Sequence, residues 1–544
     1  VFMTAEQIVM FLAKLLAGTG VFLVGVHLMT GNIEQLATGK IKKLFGKTAD
    51  KKIINAGIGA ATTALVQSSG VTTVLIVGFV NVGIMSLSQA TAMIMGANIG
   101  TTITGLVASL SSFDFTTYIQ ALAFVGVFVS MLTKNDNVKK ISLLTAGLAL
   151  VFIGLKLMSA SMEGYREQLQ QVFSGIDNSF LLFALGVFLT ALVQSSSATT
   201  SIVIAMSIAG LRIGTGGNEV LFFILGTNVG SCVTALMSSI GASANAKRTS
   251  LIHLMFNLFG SVLFFIMLSV FPSFMDLTFK QWFAGNPAVQ IAMFHVFFNV
   301  VCTVIFLPFS SMFVKASQLI IRDKKKAAPV TYLDARMISS PSIATSLAEK
   351  ELFLIADTAM AAFCDSFKAF ESRDMSKTSA VLAEVEKTTD LSQNLTDYMI
   401  KVSAYCSQKE EEKIAALHNC VGDVVRIADI ADNFTKYTRR EVEKNMEFSD
   451  GVIEEVSNMV KSVERLYELT KKTVLEDDKS LLAEVDGVEE KIDAYRKKLI
   501  DGHIERLNKG QCKPESSSIF INLVSNIERL GDHLTYIAHS VEIG

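Results

Sequence analysis

Seven apolar runs of membrane-spanning length fall in the first 320 residues of this 544-residue chain, at roughly 7–30, 89–110, 117–133, 141–160, 219–240, 251–271 and 288–314. A helix needs about 20 such residues to cross the ~30 Å hydrocarbon core of a bilayer. This part of the chain must therefore fold in lipid. Charge follows the same division. Residues 1–320 carry 17 Lys/Arg and 10 Asp/Glu, whereas residues 321–544 carry 31 and 40. The expected organisation is a membrane domain over 1–320, a linker over 321–341 and a soluble helical domain over 342–544. Six Pro, 37 Phe and a mean hydropathy of +0.45 exclude a disordered, collagenous or wholly soluble chain. The six cysteines show no metal or disulfide spacing, as expected for free thiols in reducing surroundings. Residues 1–30 lack a basic start and a small-residue cleavage site, so they read as a first span, not a secretory signal.

Two further apolar regions, 55–84 and 180–212, are each interrupted by a polar Gln-Ser-Ser run. Neither half of either region is long enough to cross, so both read as re-entrant hairpins. Backbone freed at such breaks is tolerated only inside protein or against water. The positive charges agree with this topology. If the hairpins add no crossing, loops 40–52, 134–140, 247–248 and 315–326 share one side and carry 16 Lys/Arg. The other side has only Arg166, Arg212 and Lys280. The basic side is expected to be cytoplasmic.

The membrane half also repeats. Gly25-Val-His-Leu-Met29 matches Gly154-Leu-Lys-Leu-Met158, and Glu34 matches Glu163, at an offset of 129. Ala64–Ser69 matches Ala191–Ser196 at 127, and Gly96–Thr101 matches Gly226–Ser231 at 130. Each repeat reads as span, hairpin, span, span. Three crossings is an odd number, so the second copy is inverted. Inverted repeats with broken helices are the architecture of secondary transporters, with the site at mid-membrane. The expected fold is all-α: a polytopic bundle with repeats at about 5–135 and 140–272, an extra span, and a helical tail.

The breaks carry the chemistry. Each leaves the N-terminus of a half-helix inside the protein, where unpaired N–H groups and the positive dipole end favour an anion. Gln67, Ser68, Ser69 and Thr72, with Gln194, Ser195, Ser196, Ser197 and Thr199, are the candidate anion ligands. Hydroxyl, amide and freed carbonyl oxygens suit a hard cation such as Na+. Isolated Ser and Thr in membrane helices more often bond their own backbone, but a motif doubled at matched places is unlike isolated Ser and Thr. Asn98 with Thr101, Thr102 and Thr104, and Asn228 with Ser231 and Thr234, form a second repeated polar element. They fit either cation coordination or helix packing. His253 and Asn257, and likewise His295 and Asn299, sit one turn apart and read first as interhelix hydrogen bonds.

Paired Gln-Ser-Ser motifs in inverted repeats, each followed by Gly-x-Asn-[Ile/Val]-Gly-[Thr/Ser], resemble the type II sodium–phosphate cotransporter family over about residues 5–315. The resemblance implies that the hairpins bind inorganic phosphate. It also implies that Gln194 and Ser195, with Asn228, Ser231 and Thr234, bind cotransported sodium, with Asn98, Thr101 and Thr102 as counterparts in the first repeat. The first motif departs by ending in Gly70 where the second has Ser197.

From about 340 the chain reads as amphipathic helices, and this half repeats too, at an offset of 103. Glu386…Asp390 matches Glu489…Asp493, and Val425…Asp429 matches Glu528…Asp532. The equal spacing predicts two three-helix bundles, about 342–442 and 448–542. Acids at i and i+4 share a helix face, which fits either a hard-metal site or a solvated surface. This half resembles the PhoU family, which implies a divalent or transition metal at Glu489, Asp493, Glu528 and Asp532. Glu386, Asp390 and Asp429 would form an incomplete set, because Val425 replaces the fourth acid.

These readings lead to a sodium-coupled phosphate importer of the cell (inner) membrane, with a cytoplasmic regulatory domain and a homodimer as a candidate assembly. No nucleic-acid partner is expected. The alternatives are a phosphate receptor without net transport, or the same scaffold carrying another oxyanion. No nucleotide-binding loop or catalytic motif points to an enzyme.

Overall fold

A computed structural model describes residues 3–46, 51–322, 331–338, 340–446, 448–511 and 514–543, which are helical apart from turns and short connections. The side chains of Glu34 and of Lys40, Lys42, Lys43 and Lys47 lie outside the described residues, as do Cys512 and residues 323–330 of the linker. The chain forms two compact units, Val1–Ala328 and Pro329–Gly544.

The first unit contains α1 (Ala5–Gly46), α2 (Lys52–Val66), α3 (Ser69–Asn81), α4 (Leu87–Ser109), α5 (Thr116–Leu132), α6 (Asp136–Glu163), α7 (Arg166–Ser174) and α8 (Ser179–Val193). It continues with α9 (Ser196–Ile208), α10 (Glu219–Gly230), α11 (Cys232–Ser238), α12 (Ala244–Val270), α13 (Phe274–Leu277), α14 (Phe279–Trp282), α15 (Pro287–Phe306) and α16 (Ser310–Ile320). The repeat is visible element by element. α2 and α8 have 15 residues each, and α3 and α9 have 13 each. Gly18 and Gly25 of α1 rest on Met158 and Val151 of α6, so these equivalent helices run antiparallel, as inverted copies must. Gly96 packs against the backbone of Ala56, and Gly226 against that of Phe183, the matched positions of the second copy. Small residues let membrane helices approach this closely, and dispersion and backbone contacts then hold them.

Hydrogen bonds identify the two ends of this unit. At one end Lys52 donates to the Pro308 carbonyl, the Ser243 N–H donates to Asn81, and Arg248 donates to the Ile321 carbonyl. Hairpin α2–α3 thus begins and finishes at the end where the basic loops lie. At the other end Asn286 donates to Ser112, Asn218 to the Phe271 carbonyl, and Gln170 to the Arg212 carbonyl. Hairpin α8–α9 begins and finishes there.

Among the described residues six helices are long and apolar enough to cross a membrane. The seventh expected span is α5, whose 17 residues sit at the short limit of about 17 for a crossing helix. Three boundaries differ from the sequence reading. α1 runs on to Gly46 through part of the expected basic loop, since no Pro halts it. The last span stops at Phe306, because Pro308 has no N–H to continue the ladder. The 219–240 span divides at Ser231, whose hydroxyl donates to the Asn228 carbonyl and competes for it with the backbone.

The second unit comprises α17 (Pro341–Glu371), α18 (Thr378–Ser403), α19 (Gln408–Glu443), α20 (Asp450–Glu476), α21 (Leu482–Asn508) and α22 (Pro514–His539). These are the two expected three-helix bundles. They share a core containing Phe363, Phe434 and Phe520 and are bridged by Asn526–Tyr437 and His533–Asp423 hydrogen bonds.

Candidate functional site

Each hairpin is broken by the same backbone device. Gln67 ends α2 at φ 56°, ψ 17°, and Gln194 ends α8 at φ 57°, ψ 23°, both left-handed. Ser68 and Ser195 follow in extended conformation and cap the next helix, accepting from the N–H of Val71 (3.3 Å) and Ala198 (3.1 Å). The first intrahelical bonds run from Thr72 N to Ser68 O and from Thr199 N to Ser195 O. The N–H groups of Ser69 and Gly70, and of Ser196 and Ser197, therefore have no helical acceptor. A left-handed, non-glycine residue costs of order 1–3 kcal/mol and persists only where the surroundings enforce it. Here it occurs twice, at matched positions.

Both turns line one cavity of about 370 Å³. Gln67, Ser68, Ser69, Gly70, Gln194, Ser195, Ser196 and Ser197 face it, together with Ser231. Seven of the nine candidate anion ligands thus converge. Thr72 and Thr199 do not: their hydroxyls donate back to the carbonyls of Ser68 and Ser195, 3.0 Å away in each case, and stabilise the turns from within. The cavity also takes His27 and Thr30 from α1, and the Thr30 hydroxyl has no partner among the described residues. The sequence reading did not assign these two to the site. Their i, i+3 spacing in an otherwise apolar span was the available signal, since polar side chains inside a membrane face protein or water.

The second polar element mostly satisfies itself. Asn98 and Asn228 donate to the carbonyls of Ile94 and Ile224, and Thr101 and Thr102 donate to those of Ala97 and Ile99. Asn228 Oδ1 accepts from Asn299 at 3.4 Å and pairs with His295 Nε2 at 3.2 Å, the interhelix bond expected for that histidine. His253 differs: both ring nitrogens are buried without a partner among the described residues. Of the candidate sodium ligands, Gln194, Ser195 and Ser231 reach the cavity. Thr234 lies beside Gly70, its methyl 3.5 Å from where a Cβ there would be. Asn98, Thr101 and Thr102 are not among the cavity's lining residues.

The repeats are interlocked. α3 packs on α11 and α12 of the second repeat, and α9 packs on α4 of the first. The two turns are nevertheless unequal. Gln67 is buried, donates to the Ala64 carbonyl and accepts from the Thr104 hydroxyl at 2.9 Å. Gln194 is exposed and, among the described residues, meets only Met237 Sδ at 3.8 Å, and the hydroxyl of Thr234, the counterpart of Thr104, has no partner among them.

In the second unit the acids on α21 and α22 sense one another. Burial first, then the charges of Asp493 and Asp532, raise the carboxyl of Glu489. Burial and Asp532 raise Glu528, and burial and Asp493 raise Asp532. Arg496 stands 3.6 Å from Glu528 and offsets part of this repulsion. Among the described residues no three His, Cys, Asp or Glu side chains are grouped as metal ligands, so the expected metal centre finds no support here. Glu386, Asp390 and Asp429 are exposed, and Asp429 pairs with Arg426 at 3.1 Å, as on a solvated surface.

The Na+/Pi-cotransporter family profile matches this chain twice, over residues 21–160 and 161–298, more than half the chain in total. A PhoU domain profile matches residues 456–541, the second bundle. "Putative inorganic phosphate export protein YjbB" of Salmonella typhimurium is 22% identical over 540 residues, covering 97% of both chains. "Uncharacterized protein YqeW" of Bacillus subtilis is 26% identical over 258 residues, 47% of this chain and 82% of that one. "Sodium-dependent phosphate transport protein 2C" of Rattus norvegicus is 47% identical over 55 residues, 10% of this chain and 9% of that protein. No solved structure matches the chain.

Proposed function

The chain belongs to the Na+/Pi-cotransporter family, and on that premise we propose that it moves inorganic phosphate with sodium by alternating access around the shared cavity. The observation that carries this reading is the convergence of both Gln-Ser-Ser turns on one space. Four N–H groups, two from each half-helix, and the hydroxyls of Ser69, Ser196 and Ser197 offer a tetrahedral oxyanion donors from opposite sides. Helix N-termini stabilise such a charge without a buried Arg or Lys. The terminal carbonyls of α8, with Gln194, Ser195 and Ser231, supply oxygen to a sodium ion alongside. Each ion lowers the electrostatic cost of the other, so binding is mutually reinforcing.

A symporter runs down the combined gradient of its solutes, so an inward sodium gradient drives phosphate import. Export is the second reading, because the relative matched over almost its whole length is named for phosphate export. We place the Lys-rich end in the cytoplasm by its positive charge. This puts the helical tail on that side, where the match to a PhoU domain supports a regulatory role. The test is labelled phosphate flux in proteoliposomes under sodium gradients of either direction. Sodium-stimulated flux above empty vesicles is expected, and its sign relative to the gradient separates symport from the reverse coupling. Phosphate binding with no flux in either direction would make the protein a receptor.

A further inference from the structure

A second cavity, of about 450 Å³, lies at the end of the membrane unit opposite the basic loops, and its lining includes Arg166, Arg212 and Lys280. They are the Lys and Arg of the short helices and loops at that end, where Asp114, Glu167, Asp177, Glu219 and Asp276 also lie; Lys14 and Lys156 sit further in, within the spans α1 and α6. The three cations of these loops and short helices therefore gather in one pocket. Among the described residues neither guanidinium has a carboxylate partner. Arg166 donates to the Gly210 carbonyl at 3.3 Å, and Arg212 lies along Gly216. Lys280 alone is paired, with Asp276 at 2.6 Å on a half-exposed surface.

The pocket is held in shape. Gln170 on α7 donates to the Arg212 carbonyl and accepts from the Arg212 N–H, and the Gly214 N–H donates to the Phe173 carbonyl. This ties the 209–216 loop to α7 and presents both guanidinium groups from a fixed backbone. The floor is apolar, from Val203 and Met206 of α9 and Ile291 of α15. Cations over a low-dielectric floor focus field on whatever anion enters, and guanidinium forks match phosphate oxygens in pairs. α9 joins the two cavities. Its first residue, Ser196, faces the turn site and Ser207 faces the basic pocket, about 16 Å apart at 1.5 Å per residue.

We propose that this pocket is a second anion site that binds a phosphate group, held by Arg166 and Arg212 with Lys280 at the rim. The choice of phosphate among oxyanions rests on the carrier reading above; the pocket itself does not. Free inorganic phosphate and the phosphodiester of an anionic lipid both present this group.

The experiment uses the purified full-length chain carrying Gln194→Ala and Ser196→Ala, which removes two side chains of the turn site, so that sensitivity to the arginines reads the second site. Labelled inorganic phosphate is dialysed against it in neutral detergent. In parallel, phosphatidylglycerol retention is measured in lipid discs of phosphatidylglycerol and phosphatidylcholine. Residual phosphate binding is expected, weakened about tenfold or more by adding Arg166→Gln and Arg212→Gln, and largely kept with Arg212→Lys. Lys280→Gln, at the rim, should cost about threefold and serves if the arginine pair does not fold. Loss of phosphatidylglycerol retention alone in the arginine variant assigns the site to lipid headgroups. Absence of residual phosphate binding together with unchanged lipid retention overturns the inference and leaves the turn site untouched.

Discussion

The two turns share a backbone and differ in how their glutamines are held. Gln67 is buried and latched through Thr104, whereas Gln194 is exposed and Thr234, the residue equivalent to the latch, faces Gly70 of the other repeat. Both copies keep a left-handed Gln, a capping Ser and two N–H groups without a helical acceptor, the part proposed to hold the anion. They do not share the part that fixes the side chain. The difference separates a framework half-site from an adaptable one. In an inverted-repeat carrier one repeat rocks or gates against the other around the site as access alternates.

Disabling the adaptable turn should have the largest effect. Gln194→Ala with Ser196→Ala is expected to abolish sodium-stimulated phosphate flux in proteoliposomes while the protein still elutes as a monodisperse peak. Retained flux would show that the second turn is not a ligand. Next in size is the contrast between single changes. Gln67→Ala removes two hydrogen bonds and leaves the buried Thr104 hydroxyl unpaired, costing about 1–3 kcal/mol of stability. Gln194→Ala should leave thermal unfolding unchanged and impair only flux. Equal melting losses for the two would erase the distinction drawn here.

A smaller effect is expected from Thr104→Val, which frees Gln67 without emptying the space. A bond worth about 1 kcal/mol predicts a roughly fivefold rise in the phosphate concentration for half-maximal flux. The smallest belongs to Gly70→Ser, which gives the first turn the hydroxyl of the second. A Cβ there meets Thr234 at an ordinary 3.5 Å, so folding should be unaffected. Phosphate affinity should change by less than about threefold, read by labelled binding.

Much of this site was legible because its signal is local and doubled. A Gln-Ser-Ser run inside an apolar stretch marks a broken helix, and its recurrence at an offset of 127 marks a matched pair. The ends of both hairpins and the antiparallel repeats followed from charge and counting. Contacts between repeats were not legible. Nothing along the chain announces that Thr234 meets Gly70, or that His27 enters the cavity while its counterpart Lys156 is absent from the lining. The acids of the tail teach the converse. Their repeat pointed to two bundles, but shared helix faces alone did not group them as ligands among the described residues, and Arg496 stands 3.6 Å from Glu528.

An experimental structure in high sodium and phosphate tests the shared cavity most directly. Tetrahedral density should lie within hydrogen-bond reach of the N–H groups of Ser69, Gly70, Ser196 and Ser197, with a cation beside Gln194. Turns that stand apart, helices that run unbroken through Gln67 and Gln194, or phosphate bound only elsewhere would contradict the account.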